Sequence, residues 1–184
     1  MEPSIGVLEL NSVVQGIYVA DQMCKVSAVN LVDAFPVCPG KYMILIAGDV
    51  GAVKRAVEVG EDESTDFYVD SLIIPNIHED IIPAIMGATK VDVSKINAIG
   101  AIESFTVASC IIAADTSAKE AAVKLIEIRL AKGLGGKSFF TLTGEIADVK
   151  AAISAGREII AANGAFLNSV IVPFPNEQIW EKLF

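Results

Sequence analysis

The chain has 184 residues, of which 53% are hydrophobic, and 14 basic against 23 acidic side chains give a formal net charge of −9. A mean hydropathy of +0.54 supplies ample apolar surface for a folded core and excludes intrinsic disorder. The acidic balance argues against a nucleic-acid partner, which requires clustered Lys and Arg. The apolar run Phe105–Ala114 is far shorter than the roughly 20 residues of a membrane span, so no membrane partner is expected.

The first half begins with a predicted strand at 4–10 and a helix with apolar positions Val13, Ile17, Ala20 and Cys24. A hairpin follows, with strands Val29–Phe35 and Lys41–Ala47, and then a second helix from the N-cap Asp49 to about Val59. The last predicted elements are an acidic linker Glu61–Asp66, a strand Phe67–Pro75 and a short terminal helix. The helical spacing of the apolar positions predicts the first helix, and the Pro/Gly loop between two strand-like runs predicts the hairpin.

The second half repeats the first. Ile5-Gly6-Val7-Leu8-Glu9 returns as Ile99-Gly100-Ala101-Ile102-Glu103, Gly40-Lys41 as Gly136-Lys137, and Ser71 to Pro75 as Ser169 to Pro173. The offset grows only from 94 to 98 residues along the way. The sequence therefore predicts an α/β (α+β) chain of two ferredoxin-like β-α-β-β-α-β domains. Their expected extents are residues 1–90 and 91–184, joined by a linker at 87–97.

Domains of this size are marginal alone, and helices rich in Ala and Val invite further burial. A symmetric oligomer is therefore expected rather than a monomer. Three cysteines without a disulfide framework, and a start at Met1–Ser4 without a basic residue, favour a reduced, cytoplasmic protein with no secretory signal.

An ordered set of motifs occurs in both halves: I-G-x-x-E, A-D-x-x-x-K-x-x-x-V, G-K, G-D-V-x-A-V and S-x-x-I-P in the first, with close variants in the second. This set resembles the bacterial microcompartment shell-protein domain, in its unpermuted tandem type, over about 4–83 and 98–183. The resemblance implies a non-enzymatic tile of a microcompartment shell. It implies a homotrimer that looks like a hexamer, packs with other shell proteins into a sheet and has a pore on its threefold axis.

The resemblance also assigns the edge between tiles. Lys25 and Lys119 occupy the family's edge-lysine position. The family's usual partner is an Arg in a P-R-P-H turn, whereas the two turns here are Pro75-Asn76-Ile77-His78 and Pro173-Phe174-Pro175-Asn176. Asn76 and His78 therefore complete the predicted tile edge, and the missing Arg suggests a preference for mixed neighbours.

The two predicted pore loops diverge. The first is stiffened by prolines, since each proline fixes its own φ and restricts the residue before it. The second is rich in glycine and flexible. The predicted pore residues are Phe35, Pro36, Val37, Pro39 and Gly40 in the first loop, and Lys132, Gly133, Leu134 and Gly135 in the second.

Cys38 lies at the predicted tip of the first loop, whereas Cys24 and Cys110 are expected to be inert core residues. One thiolate cannot hold an iron–sulfur cluster, which typically uses four protein ligands. On a threefold axis Cys38 would supply three, leaving the fourth iron for water, substrate or a partner. Because Cys38-Pro39-Gly40-Lys41 matches the tandem-type loop, the resemblance implies a [4Fe–4S] cluster shared by three subunits.

The expected role is then electron passage across the shell, with an encapsulated or cytoplasmic redox protein as a possible partner. Three thiolates and a water would equally suit zinc, and a thiol that binds nothing stays open. Other open hypotheses are a cluster-free tile with a metabolite pore, a small redox or metal-dependent enzyme, and a regulatory ligand-binding trimer. No residue set supports turnover: Gly133 to Lys137 is too short for a phosphate-binding loop, and His78 is the chain's single histidine.

Overall fold

A computed structural model describes residues 4–92 and 97–179 of the chain. The first copy contains β1 (Ser4–Leu10), α1 (Val13–Val26), β2 (Asn30–Val37), β3 (Lys41–Gly48), α2 (Val50–Ser64), a 3₁₀ turn (Thr65–Phe67), β4 (Tyr68–Ile74) and α3 (Ile81–Ile85). The second contains β5 (Ala98–Ser104), α4 (Val107–Glu120), β6 (Val123–Leu130), β7 (Ser138–Gly144), α5 (Ile146–Ala161) and β8 (Phe166–Pro173).

The chain forms two compact units whose boundaries are not those of the sequence repeat. One unit contains residues 1–79 and 132–135, and the other contains 80–131 and 136–184. The loop 132–135 and the helix α3 are thus each grouped with the other copy's sheet. Of the predicted linker 87–97, residues 93–96 lie outside the described residues. Of the second predicted terminal helix, residues 177–179 are helical and 180–184 lie outside the described residues.

Each unit contains a four-stranded sheet of the predicted topology. The strand order is β2-β3-β1-β4 in one sheet and β6-β7-β5-β8 in the other, and all neighbouring strands are antiparallel. A helix crosses over between β1 and β2, and another between β3 and β4. This is the ferredoxin-like order that the sequence predicts.

The first core lies between its sheet and the helices α1 and α2. Alternate positions of β1 and β3 face the helices, because side chains of a strand alternate between its two faces. The buried cluster consists of Leu8, Leu10, Val19, Ala20, Met23, Tyr42, Ile44, Ile46, Val53, Ala56 and Val57. Burial of this many large side chains is what orders the small domain.

The buried face of α1 differs from the predicted one. Gly16, Val19, Ala20 and Met23 are buried, whereas Ile17 is 58% exposed and Cys24 is only half-buried. The reason is Gly16, which has no side chain and lets α1 approach Tyr42 closely. A Cβ at Gly16 would lie 2.3 Å from Cδ1 of Tyr42. A prediction of the buried face from the spacing of apolar residues misses Gly16, because glycine has no apolar side chain.

We expect Gly16→Ala to lower the free energy of unfolding by about 1–2 kcal/mol. Alanine favours a helix over glycine by about 1 kcal/mol, but overpacking a core typically costs about 1–3 kcal/mol or more. Tyr42 is 8% exposed, so its ring has little room to move. The matched control is Gly51→Ala in α2, where a Cβ meets nothing within 4 Å. Urea unfolding should show no loss for the control, and an equal loss in both variants would contradict the packing argument.

The helix α2 continues to Ser64, so the predicted end near Val59 and the predicted linker Glu61–Asp66 are wrong. Gly60 and Ser64 extend the buried face by another turn, since they follow Val57 at helical spacing. Ser64 donates its hydroxyl to the Gly60 carbonyl. The acidic residues between them are exposed or half-buried. Because the buried face of this turn consists of small residues, its periodicity is not visible as a pattern of apolar side chains.

Within residues 4–92 and 97–179, none of the helices is long and apolar enough to cross a lipid bilayer. The apolar excess of the composition is instead accounted for by two cores. In the second unit the largest fully buried side chain is that of Phe140, which is paired with Ile102 across β5 and Ile128 across β6.

Candidate functional site

The first candidate site is the tip of the β2–β3 hairpin. The turn is shorter than predicted, because β2 continues through Pro36 to Val37, in register with Tyr42 and Lys41. Proline is tolerated here since β2 is an edge strand of its sheet. Phe35 and Val37 are buried, and they anchor the strand end in the core.

The exposed residues of the tip are Pro36, Cys38, Pro39 and Gly40. The Gly40 amide donates to the Val37 carbonyl over 2.9 Å, and Gly40 has φ of +90°, a backbone conformation that favours glycine. The Cys38–Pro39 peptide bond is cis. The hairpin therefore presents one free, exposed thiol at a turn whose other residues are small or rigid.

The second candidate loop lies between β6 and β7. Gly133, Gly135 and Gly136 all have positive φ, which explains the glycine-rich sequence. Lys132, Gly133 and Gly135 are exposed, whereas Leu134 is half-buried. This loop carries no thiol.

Lys132 interacts with β2 inside the first compact unit. Its ammonium Nζ lies 3.9 Å from the centroid of the Phe35 ring and 2.7 Å from Oδ2 of Asp33. A cation over an aromatic face contributes about 0.5–1 kcal/mol at an exposed site. Sequence reasoning missed Asp33, because the two residues are 99 positions apart and no local pattern links them.

The three thiols have different environments. Burial raises the pKa of the Cys110 thiol to about 12, and a hydrogen bond with Ser104 opposes part of that shift. Burial and the nearby Asp21 carboxylate also raise the pKa of Cys24. Thiolates are the metal ligands and nucleophiles. Cys24 and Cys110 are therefore disfavoured as ligands, whereas Cys38 is exposed to solvent.

No group of three or more His, Cys, Asp or Glu within 4–92 and 97–179 is arranged to hold a metal ion. The donor at the hairpin tip is a single thiol, Cys38. Its chemistry suits a soft metal or an iron–sulfur cluster, but only if other chains bring further thiolates to the same point.

The predicted edge residues lie on two kinds of element. Lys25 pairs with Asp21 in the last turns of α1, and Lys119 pairs with Asp115 at 2.6 Å in α4. Asn76 is exposed and has φ of +53°, and His78 is half-buried. The equivalent of Asn76 in the second copy, Phe174, also has positive φ, so both turns contain a left-handed residue at this position.

Comparison with known proteins decides the family. The BMC domain model matches twice, at residues 4–77 and 98–175. The chain belongs to the BMC-domain family. The tandem arrangement and the two four-stranded sheets predicted from the sequence are thereby confirmed, and the role in this family is structural rather than catalytic.

Two relatives match the BMC-domain chain along nearly its whole length. The bacterial microcompartment shell protein PduT of Citrobacter freundii is 38% identical over 183 residues, which is 100% of this chain and 98% of that protein. A crystal structure of a microcompartments protein from Desulfitobacterium hafniense superposes with a TM-score of 0.95 at 43% identity. It covers 98% of this chain and 99% of that one.

Two other relatives match a smaller part of this chain or superpose on it less closely. The carboxysome shell protein CsoS1A of Hydrogenovibrio crunogenus is 33% identical over 85 residues, which is 45% of this chain and 88% of that protein. The fused permuted hexameric shell protein of the RMM microcompartment shares the fold, with a TM-score of 0.60 at 20% identity over 87% of this chain and 84% of that one. The chain is thus a structural component of a bacterial microcompartment shell, as predicted.

Proposed function

We propose that this BMC-domain chain forms a homotrimeric shell tile whose threefold axis passes beside the hairpin tips of the first copies. Three chains with two similar domains each give six wedges around a ring, with two alternating kinds of pore loop. The full-length match to PduT and the duplicated domain support this assembly. Other shell proteins would surround the tile in a sheet, in contact with Lys25, Lys119, Asn76 and His78.

We further propose that the tile holds a metal cluster, and the single observation that carries this proposal is the exposed Cys38 at the hairpin tip. Threefold symmetry would bring three copies of this thiol to one point, and three thiolates are one short of the usual ligand set of a cubane cluster. The donor set therefore fits a [4Fe–4S] cluster shared by three subunits, with the fourth iron open to water or a partner. Such a cluster supplies one-electron transfer when it is bound.

The other tip residues would hold the thiols in place. Phe35 and Val37 anchor β2 in the core, while Pro36, Pro39 and Gly40 leave the tip without bulky or charged side chains. Lys132, held by Asp33 and the Phe35 ring, keeps a positive charge beside the same strand. The function proposed is passage of electrons across the shell to a redox protein.

Iron analysis after anaerobic purification tests this proposal. We expect a coloured wild-type protein with about four iron atoms per three chains, and loss of all of the iron in Cys38→Ser. Cys24→Ser is the matched control and should keep the iron, since its thiol is half-buried with a raised pKa. Zinc in place of iron, or a correctly assembled wild-type protein without metal, would overturn the cluster and leave a structural tile with a metabolite pore.

A further inference from the structure

Equivalent positions in the two copies differ sharply in exposure. Leu31 in β2 is 47% exposed, whereas its equivalent Leu125 in β6 is 0% exposed. Ile17 in α1 is 58% exposed, whereas its equivalent Ile111 in α4 is 0% exposed. The two strands even share a bulge at the same place. Because the copies have the same fold, the difference must come from what covers this face in the second copy.

The segment Asp80–Ile85 is what covers it. The helix α3 packs against β6 and reaches α4, and its Ile81 and Ala84 are fully buried. Asp80 forms an ion pair with Lys124 and accepts a hydrogen bond from the Leu125 amide over 3.4 Å. The residues that follow the last strand of the first copy thus complete the core beside β6 within one compact unit.

The second copy has an equivalent segment that is exposed. Phe174 and Ile179 occupy the positions of Asn76 and Ile81 in the repeat; Phe174 is 74% exposed and Ile179 is 49% exposed, against 0% for Ile81. The sequence then continues with Trp180, Leu183 and Phe184 at the positions of Ile82, Ile85 and Met86. One chain therefore exposes both an apolar segment, with Phe174 and Ile179, and an apolar face, with Ile17 and Leu31.

We propose that the face formed by Ile17 and Leu31, called the α1–β2 face, binds the segment 174–179 of a second copy of this chain. The contact is head-to-tail, and such a contact forms a ring when its rotation closes. This inference rests on the proposed trimer, and it names the surface through which the three chains join. The contact between Ile81 and β6 within one chain is its template.

The chemistry of this contact differs from its template in one respect. The ion pair of Asp80 with Lys124 is replaced by Gln178 and Asn30, which carry no charge. The contact between chains therefore lacks this ion pair and should depend less on salt than its template does, because screening weakens charged pairs. Grafting the charged pair, as Asn30→Lys with Gln178→Asp, should make assembly tighter at low salt and no tighter at high salt.

Sedimentation velocity on the full chain tests the surface. We expect Leu31→Asp and Ile179→Asp each to convert the assembly into folded monomers of 19.4 kDa. Ile159→Asp is the matched control: Ile159 is 47% exposed but lies on α5, so this variant should assemble as wild type does. Circular dichroism shows whether each variant is folded.

A disulfide trap covers the case in which an aspartate variant fails to fold. Leu31→Cys with Ile179→Cys, made in a Cys38→Ser background, should give a ladder of linked chains that stops at three on non-reducing gels. Trimers that persist in both aspartate variants, or the absence of any crosslink in an assembled double-cysteine variant, would overturn this surface while the proposed trimer stands. A wild-type protein that is already a monomer would overturn the trimer itself.

Discussion

Truncation of Phe140 to alanine should lower the free energy of unfolding by about 3–5 kcal/mol, the usual cost of deleting a fully buried aromatic ring. Phe140 is 0% exposed and is flanked in the sheet by Ile102 and Ile128, which are 1% and 2% exposed. Its neighbours are held in strands on both sides, so they have little freedom to collapse into the cavity.

The repeat itself supplies the control for Phe140. Its equivalent in the first copy is Ile44, which is also fully buried. Phe140→Ile keeps much of the volume and should cost less than half as much, while Phe105→Ala, at a ring that is 50% exposed, should change little. Urea midpoints compared at one protein concentration measure all three, since assembly makes stability depend on concentration. A loss in Phe140→Ala no larger than in Phe105→Ala would contradict the assigned core.

Removal of the Asp80 carboxylate should lower the free energy of unfolding by about 2 kcal/mol, in the range for hydrogen bonds to charged groups. Asp80 is 4% exposed and contacts both Lys124 and the Leu125 amide, so Asp80→Ala loosens α3 from β6. Lys124 remains 45% exposed and can return to water, which keeps the loss moderate. Asp80→Asn retains an acceptor for the amide and should lose about half as much.

Asp21→Ala is the control for Asp80. It removes an ion pair with Lys25 whose side chains are 66% and 52% exposed, and exposed pairs contribute little to stability. Thermal unfolding should separate the two variants clearly. Equal effects would mean that α3 is not held against β6 by Asp80.

Most of the architecture could be predicted because the repeat allows each element to be checked against its copy. The strands at 4–10 and 98–104 have the predicted bounds, and the β-α-β-β-α-β order and sheet topology are as expected. The errors occur where small residues lie on buried faces. Gly16 shifts the buried face of α1, and Gly60 with Ser64 extends α2 past its apparent end.

The candidate site was predicted less completely, because its features depend on contacts between distant residues. Cys38 could be placed at a turn from its prolines and glycine. The burial of Phe35 and Val37 could not, since it follows from β2 continuing through Pro36 as an edge strand. The pairing of Lys132 with Asp33 and of Asp80 with Lys124 joins residues 99 and 44 positions apart, and no local periodicity predicts such pairs.

Native mass spectrometry of the anaerobically purified protein tests the trimer and its cluster together. The mass expected is that of three 19.4-kDa chains with four iron and four inorganic sulfur atoms, and Cys38→Ser should keep the three chains and lose the added mass. Three chains with no added mass, or with a single zinc, would contradict the cluster. A single chain would contradict the assembly that brings the Cys38 thiols together.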